Sequence, residues 1–194
     1  MATKNKSVPE VISPKSFFMG ATNAPVTIIM FGDYESEACY NLHGIIKRLL
    51  SEHEGKIRFS YRHFPLTQVH QRAQKAAEAS VAALQENMFW SMHDMLFTHR
   101  KQLGIISMKG YAKEIGFDKK ACKRFLDALV NATFSWEVRA DLLDGLALGI
   151  REVPALLING ERYRGNFDYE SIQKSLDAII KQSKHQGKAV RKRA

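Results

Sequence analysis

The fold is decided by residues 26–64, which read VTIIMFGDYESEACYNLHGIIKRLLSEHEGKIRFSYRHF. Residues 26–31 are a near-continuous apolar run, which is typical of a strand covered on both faces. From Ala38 onward the apolar residues recur at helical spacing, and Gly55 marks the predicted end of that helix. Residues 56–64 then alternate apolar and polar side chains, as a strand does. A strand, a helix and a strand joined by short links predict a parallel βαβ unit.

The rest of the chain predicts a second, smaller group of strands after a long helical block. Residues 67–149 contain helical periodicity but no strand pattern. Strand signal returns at residues 155–158, and Asn159-Gly160 predicts a tight hairpin with residues 161–165. Apolar spacing over residues 172–180 predicts a last helix. The order is therefore β-α-β, a block of helices and β-β-α, which is an α/β fold with an inserted all-helical subdomain.

Composition describes an ordinary soluble globular chain of 194 residues, with 45% hydrophobic and 25% charged residues. No stretch approaches the roughly 18 apolar residues of a membrane-spanning helix, so no membrane span is expected. The first residues lack the apolar segment of a secretory signal, which predicts a cytoplasmic protein, or a periplasmic or secreted one if a leader was removed. Two cysteines, Cys39 and Cys122, cannot form a disulfide framework, so any importance of these thiols is chemical.

The net charge of +9 is concentrated at the end of the chain. Residues 181–194 carry six positive charges and no acidic residue, which leaves the body of the chain at about +3. Such a tail can contact an anionic surface. No basic patch interleaved with aromatic residues accompanies it, so specific nucleic-acid binding is not expected. The seven histidines lack metal-ligand spacing, so no metal site is expected either.

Two neighbouring features point to chemistry. Residues 31–39, FGDYESEAC, lie where the first strand passes into the first helix. A helix N-terminus offers unpaired N–H groups and a partial positive charge, which promote the ionisation of a thiol such as Cys39. The second feature is Val153-Pro154, directly before the strand at 155–158. If this peptide bond is cis, Val153 presents its backbone to a ligand beside the helix N-terminus.

Five short segments resemble, in order, the DsbA-type thiol–disulfide oxidoreductases. The resemblance covers about residues 20–182 and is specific because the segments occur together at matching spacing. The five segments are Ala24-Pro25-Val26-Thr27, Phe31-Gly32-Asp33-Tyr34, Arg62-His63-Phe64-Pro65-Leu66, Phe89-Trp90-Ser91-Met92-His93-Asp94, and Val153-Pro154 followed by Ile158-Asn159-Gly160.

This resemblance implies a thioredoxin-like fold with a helical insertion. The thioredoxin-like domain is expected at residues 20–66 and 150–182, and the helical insertion at 67–149. An irregular N-terminal lead-in is expected at residues 1–19, and a basic, disordered tail at 183–194.

The chain departs from this family at its redox centre. The family usually carries Cys-x-x-Cys at the first helix, whereas this chain reads Ser36-Glu37-Ala38-Cys39. A serine cannot form a disulfide, so the two-thiol exchange cycle is not available. Three interpretations of Ser36 stay open: a helix cap in a site that has lost its redox chemistry, a deliberate replacement of cysteine, or a functional hydroxyl. Cys39 is either a small buried apolar residue or a single-thiol centre.

The resemblance also implies a ligand. The cleft is expected to bind an extended peptide or glutathione, with Ser36 and Cys39 as the catalytic positions. Substrate-binding residues are expected at Glu37, Ala38 and Val153-Pro154. The expected partner is a protein thiol or disulfide, or glutathione, which is a candidate substrate, and no cofactor is expected. The alternatives are a glutathione-dependent transferase or isomerase that uses Ser36, as the similar kappa-class enzymes do, and a non-catalytic peptide-binding module.

Overall fold

The structure, a computed structural model, describes the backbone of residues 18–191 and the side-chain surroundings of residues 18–182. Its elements follow the predicted order, with helices α2 to α6 placed between the two groups of strands. They are β1 (Phe18–Gly20), β2 (Val26–Gly32), α1 (Glu37–Glu52), β3 (Ile57–His63), α2 (Ala73–Leu84), α3 (Phe89–Thr98), α4 (Ile105–Glu114), α5 (Lys119–Val130), α6 (Ser135–Ala147), β4 (Ala155–Ile158), β5 (Glu161–Arg162) and α7 (Tyr169–Arg191).

The strands form one mixed sheet in the order β1-β3-β2-β4-β5. Strands β2 and β3 run parallel, which confirms the predicted βαβ unit, and the other pairs are antiparallel. The predicted hairpin between β4 and β5 is confirmed, because Asn159 and Gly160 both have positive φ, at 51° and 86°. That pair of angles is required by a primed two-residue turn.

Two predictions about the ends of the chain are wrong where the structure describes them. Residues 18 and 19 belong to β1 rather than to an irregular lead-in, because they pair with β3 and cover its outer edge. Residues 1–17 of that lead-in lie outside the described residues. The tail predicted as disordered is helical as far as Arg191, because α7 continues through it. Lys, Gln, Ala and Arg are good helix formers, and positive charge alone does not end a helix.

The sheet and the inserted helices share one core. Helix α1 packs against the sheet through Leu42, Ile46 and Leu49, which are at most 1% exposed. The same continuous cluster includes side chains of α2 to α5, such as Ala79 and Leu96. A common core joins the two parts, so it does not separate them into two units. The division into a thioredoxin-like domain and an insertion stays a prediction.

Candidate functional site

Helix α1 begins at the predicted site and is capped by Ser36. The N–H of Cys39 donates to Oγ of Ser36 at 3.3 Å, and Ser36 has an extended backbone with φ −70° and ψ 126°. Its own N–H donates to the carbonyl of Asp33 at 3.2 Å, which closes a turn between β2 and α1. A side-chain cap of this kind stabilises a helix by about 1 kcal/mol. Ser36 therefore caps α1, which is the structural part of one of its three interpretations.

The thiol of Cys39 lies inside the protein. Its side chain is fully buried, and its Sγ accepts the N–H of Asp33 at 3.5 Å. Burial raises the pKa of Cys39 to about 11, although hydrogen bonds from Ser36 and from the Asp33 backbone act in the opposite direction. Burial therefore outweighs the effect of the helix N-terminus, and Cys39 is a neutral thiol at pH 7. Cys122 is also buried, on α5, and both cysteines are free.

We expect Cys39 to resist oxidised glutathione in the folded protein. At pH 7 the thiolate that would attack is scarce and is shielded from solvent, so intact mass should show no adduct. In denaturant, peptide mass spectrometry should find adducts on both cysteines, with the buried Cys122 as the internal control. An adduct on Cys39 of the folded protein would contradict this burial and restore the single-thiol centre.

The sheet brings Val153-Pro154 to the same edge as Ser36. Strand β2 pairs antiparallel with β4, and Phe31 lies opposite Ala155. The residues that follow β2 therefore lie beside those that precede β4. The Val153-Pro154 bond is cis, Val153 is half-buried and Pro154 is buried. The pairing thus supports the predicted juxtaposition of the helix start and this loop.

A buried carboxylate that the sequence analysis did not select organises the turn before Ser36. Asp33 is 1% exposed, and its carboxylate accepts hydrogen bonds from the N–H of Glu35 at 2.7 Å and the N–H of Leu66 at 2.8 Å. Nδ1 of His70 lies 2.9 Å from the same carboxylate. Asp33 therefore fastens the turn to the segment that follows β3. In the sequence, Asp33 stands directly after a buried strand and within one of the five family-like segments, but nothing there distinguishes it from its neighbours.

Charged groups from the helical block border the start of α1. Oε2 of Glu35 accepts the backbone N–H of Arg72 at 2.7 Å, and Glu37 forms an ion pair with Arg100 at 3.1 Å. Glu37 and Ala38 are exposed, so a ligand can reach them. Within residues 18–182, no three His, Cys, Asp or Glu side chains are arranged to hold a metal ion. The arrangement presents polar backbone and a hydroxyl rather than a nucleophilic sulfur.

A second polar network lies behind the site, below the surface. His63 joins two partners, with Nδ1 2.8 Å from Asp141 and Nε2 2.8 Å from Oγ of Ser80. Asp141 also accepts Nε of Arg62 at 2.5 Å. The order serine, histidine, aspartate resembles a catalytic triad, but all three side chains are buried, with exposures of 0% to 7%. A substrate cannot reach Ser80, so this network has a structural role and ties β3 to α2 and α6.

Known proteins resemble this chain in both sequence and structure. The thioredoxin family model matches residues 13–178. Among solved structures, oxidised BdbD from Bacillus subtilis has a TM-score of 0.76 and 23% identity, covering 84% of this chain and 92% of BdbD. The thiol-disulfide exchange protein alpha-DsbA2 from Wolbachia pipientis has a TM-score of 0.72 and 23% identity, covering 84% of this chain and 86% of its own. At identities this low, the structural match establishes the shared fold alone.

The matches to curated relatives span most of this chain but only part of each relative. A Na⁺/H⁺ antiporter NhaA 1 of Salinispora arenicola is 34% identical over 162 residues, which are 83% of this chain and 24% of the antiporter. A Na⁺/H⁺ antiporter NhaA of Herminiimonas arsenicoxydans is 29% identical over 180 residues, or 90% of this chain and 28% of the antiporter. The chain therefore spans about a quarter of the length of these relatives. In its described part, no helix is long and apolar enough to cross a bilayer.

Proposed function

Because the chain belongs to the thioredoxin family, in its DsbA-type form with inserted helices, we propose that it binds extended thiol- or disulfide-containing peptides, glutathione included. The ligand sulfur lies against Ser36 at the start of α1, and the ligand backbone runs beside Val153. Binding takes place without the two-thiol exchange cycle, since position 36 holds a hydroxyl.

One observation carries this proposal: Glu37 and Ala38 at the capped start of α1 are exposed, whereas the thiol of Cys39 is buried. Cys39 is fully buried with a raised pKa, so it does not supply the accessible thiolate that exchange needs. Glu37 and Ala38 are instead exposed on the first turn, beside Ser36, which is itself 8% exposed. Among the described residues, no partner accepts the backbone N–H of Glu37 or Ala38. Such free N–H groups and the helix dipole favour a ligand with negative charge or a polarisable sulfur.

The loop before β4 supports the peptide part of the proposal. Val153 is half-buried at the edge of the sheet where the turn before Ser36 also lies. A peptide in extended conformation that pairs with the backbone of Val153 adds a strand, which is a common mode of peptide recognition. Glutathione has the same amide groups and a central cysteine, so it uses the same contacts.

The hydroxyl of Ser36 can be tested with two ligands that differ at sulfur. We expect Ser36→Ala to weaken glutathione binding about fivefold, because a hydrogen bond to sulfur is lost, while S-methylglutathione binding changes little. Isothermal titration calorimetry measures both affinities. Because Ser36→Ala also removes a helix cap, circular dichroism must first confirm that the variant is folded at the working temperature.

The matched control is Ser91→Ala, which removes an exposed hydroxyl from α3. It should leave both affinities unchanged. If neither glutathione nor a cysteine peptide binds the parent protein, the proposal is wrong. If peptides bind and Ser36→Ala has no effect on them, the chain is instead a peptide-binding module in which Ser36 is only a cap.

A second candidate function is a glutathione-dependent transferase or isomerase. The observation that favours it is the Ser36 hydroxyl at the N-terminus of α1. A hydrogen bond from this hydroxyl and the positive end of the helix dipole both stabilise a glutathione thiolate. Conjugation of glutathione to 1-chloro-2,4-dinitrobenzene, abolished by Ser36→Ala, would select this candidate over simple binding.

A further inference from the structure

We propose that His70, oriented by Asp33, accepts the proton of the thiol that binds at Ser36. This inference rests on the proposed function and names the group that ionises its ligand.

The geometry of His70 is that of an oriented base. Its Nδ1 lies 2.9 Å from Oδ2 of Asp33, whose side chain is 0% exposed, whereas the imidazole is 28% exposed. The carboxylate therefore holds the inner nitrogen, and the ring extends outward from it. Within the described part of the chain, Nε2 of His70 has no hydrogen-bond partner. A carboxylate behind a histidine fixes the tautomer and stabilises the imidazolium once the outer nitrogen takes a proton.

Asp33 also connects the histidine to the two positions of the altered redox motif. Its backbone N–H contacts Sγ of Cys39 at 3.5 Å, and its carbonyl accepts the N–H of Ser36 at 3.2 Å. The segment that carries His70 follows the same turn, since the N–H of Leu66 reaches Asp33 and the N–H of Arg72 reaches Glu35. The imidazole therefore borders the turn that ends in Ser36.

The charged groups around His70 come from the turn, from its own segment and from helices α1 and α3. The turn contributes two carboxylates, Asp33 and Glu35, and the segment of His70 itself contributes Arg72. The start of α1 contributes Glu37, which is paired with Arg100 from the end of α3 at 3.1 Å, so these two charges largely offset each other. A thiolate at the start of α1 completes a second pair with the imidazolium.

The step is a proton transfer alone. The S–H bond of the bound thiol breaks, its electron pair stays on sulfur, and the proton forms the Nε2–H bond of His70. Nothing is oxidised or reduced. The thiolate is left beside the N-terminus of α1 and the hydroxyl of Ser36, where positive potential and a hydrogen bond stabilise it.

A thiol built into the chain reports on this transfer without any ligand. In the Cys39→Ala background, Ser36→Cys places a thiol at the start of α1, next to the exposed Glu37 and Ala38, and the other thiol, Cys122, is buried. The pH dependence of alkylation by iodoacetamide measures the thiolate fraction of the introduced thiol. Adding His70→Asn keeps a donor toward Asp33 but removes the proton acceptor. We expect this change to raise the midpoint by about one pH unit and to slow alkylation at pH 7 about tenfold.

The matched control is His99→Asn, at the end of α3, where the imidazole stacks on Tyr111. It should leave the midpoint where it was. If His70→Asn leaves the midpoint unchanged in a protein with native circular dichroism, or if His99→Asn moves it equally, the proposal is overturned. Because the reporter thiol belongs to the chain, failure of the parent protein to bind glutathione would refute the proposed function without affecting this measurement.

Discussion

Ser36→Cys is expected to convert this chain into a working thiol–disulfide exchange protein. Position 36 lies three residues before Cys39, and the Ser36 hydroxyl already accepts the backbone N–H of Cys39 at 3.3 Å. A thiol placed there occupies the start of α1, next to the exposed Glu37 and Ala38, where the helix N-terminus favours its ionisation. Cys39 is positioned to resolve the mixed disulfide. Reduction of insulin by the variant, in the presence of dithiothreitol, should be faster than by the parent protein by about a hundredfold or more.

The control for this result is the double variant Ser36→Cys, Cys39→Ala. It should form a mixed disulfide with oxidised glutathione but no internal disulfide, which intact mass distinguishes. If the single variant keeps two free thiols after treatment with oxidised glutathione, the site is not arranged for exchange. The similarity to DsbA-type proteins would then extend to the fold and not to the chemistry.

Asp141→Ala should destabilise the protein by about 3 kcal/mol. Its carboxylate accepts Nε of Arg62 at 2.5 Å and the backbone N–H of His63 at 3.0 Å, and it lies 2.8 Å from Nδ1 of His63. Removing it leaves an arginine and a histidine, 3% and 1% exposed, without their main acceptor. Urea unfolding followed by tryptophan fluorescence measures the loss.

Asp144→Ala is the matched control for Asp141→Ala. Asp144 lies one turn further along α6 and pairs with the same guanidinium of Arg62, but its side chain is 24% exposed. Water can replace part of this contact, so we expect a loss of about 1 kcal/mol. Equal losses for the two variants would show that burial of Asp141 does not decide the stability of the network.

The contribution of Asp141 to the free energy of unfolding depends on pH, and its sign follows from the pKa of the carboxyl group. Burial alone would raise the pKa of Asp141, but hydrogen bonds from His63 and the charge of Arg62 hold it below the ordinary value. A carboxyl group with a lowered pKa stabilises the folded state above its unfolded pKa, and that contribution is lost as pH falls through the folded pKa. The stability difference between the parent protein and Asp141→Ala should therefore be full at pH 7 and should narrow below about pH 4.

The elements that the sequence predicted correctly are those with local signals. The parallel unit of β2, α1 and β3 follows from hydrophobic periodicity within about forty residues, and the hairpin follows from Asn159-Gly160. The cap at Ser36 follows from residue type and position. Strand β1 was missed because its only signal is its pairing with β3, which has no local pattern.

The groups around the candidate site were harder to predict because their contacts are distant in sequence. Asp33 and His70 are separated by 37 positions, and His63 and Asp141 by 78. No spacing rule connects such pairs, since only the packing of the helical block against the sheet brings them together. The burial of Cys39 was foreseeable from its apolar neighbours on α1, but its balance against the helix dipole required the structure.

The cap at Ser36 implies that activity and stability compete for one position. The hydroxyl of Ser36 accepts the N–H of Cys39 and closes the first turn of α1. A thiol is a weaker acceptor, so a chain with a redox centre at this position gives up part of the roughly 1 kcal/mol that the cap contributes. A serine at this position therefore gives a more stable protein of the same fold. A chain that only binds its ligand keeps this stabilisation, whereas one that exchanges disulfides loses part of it.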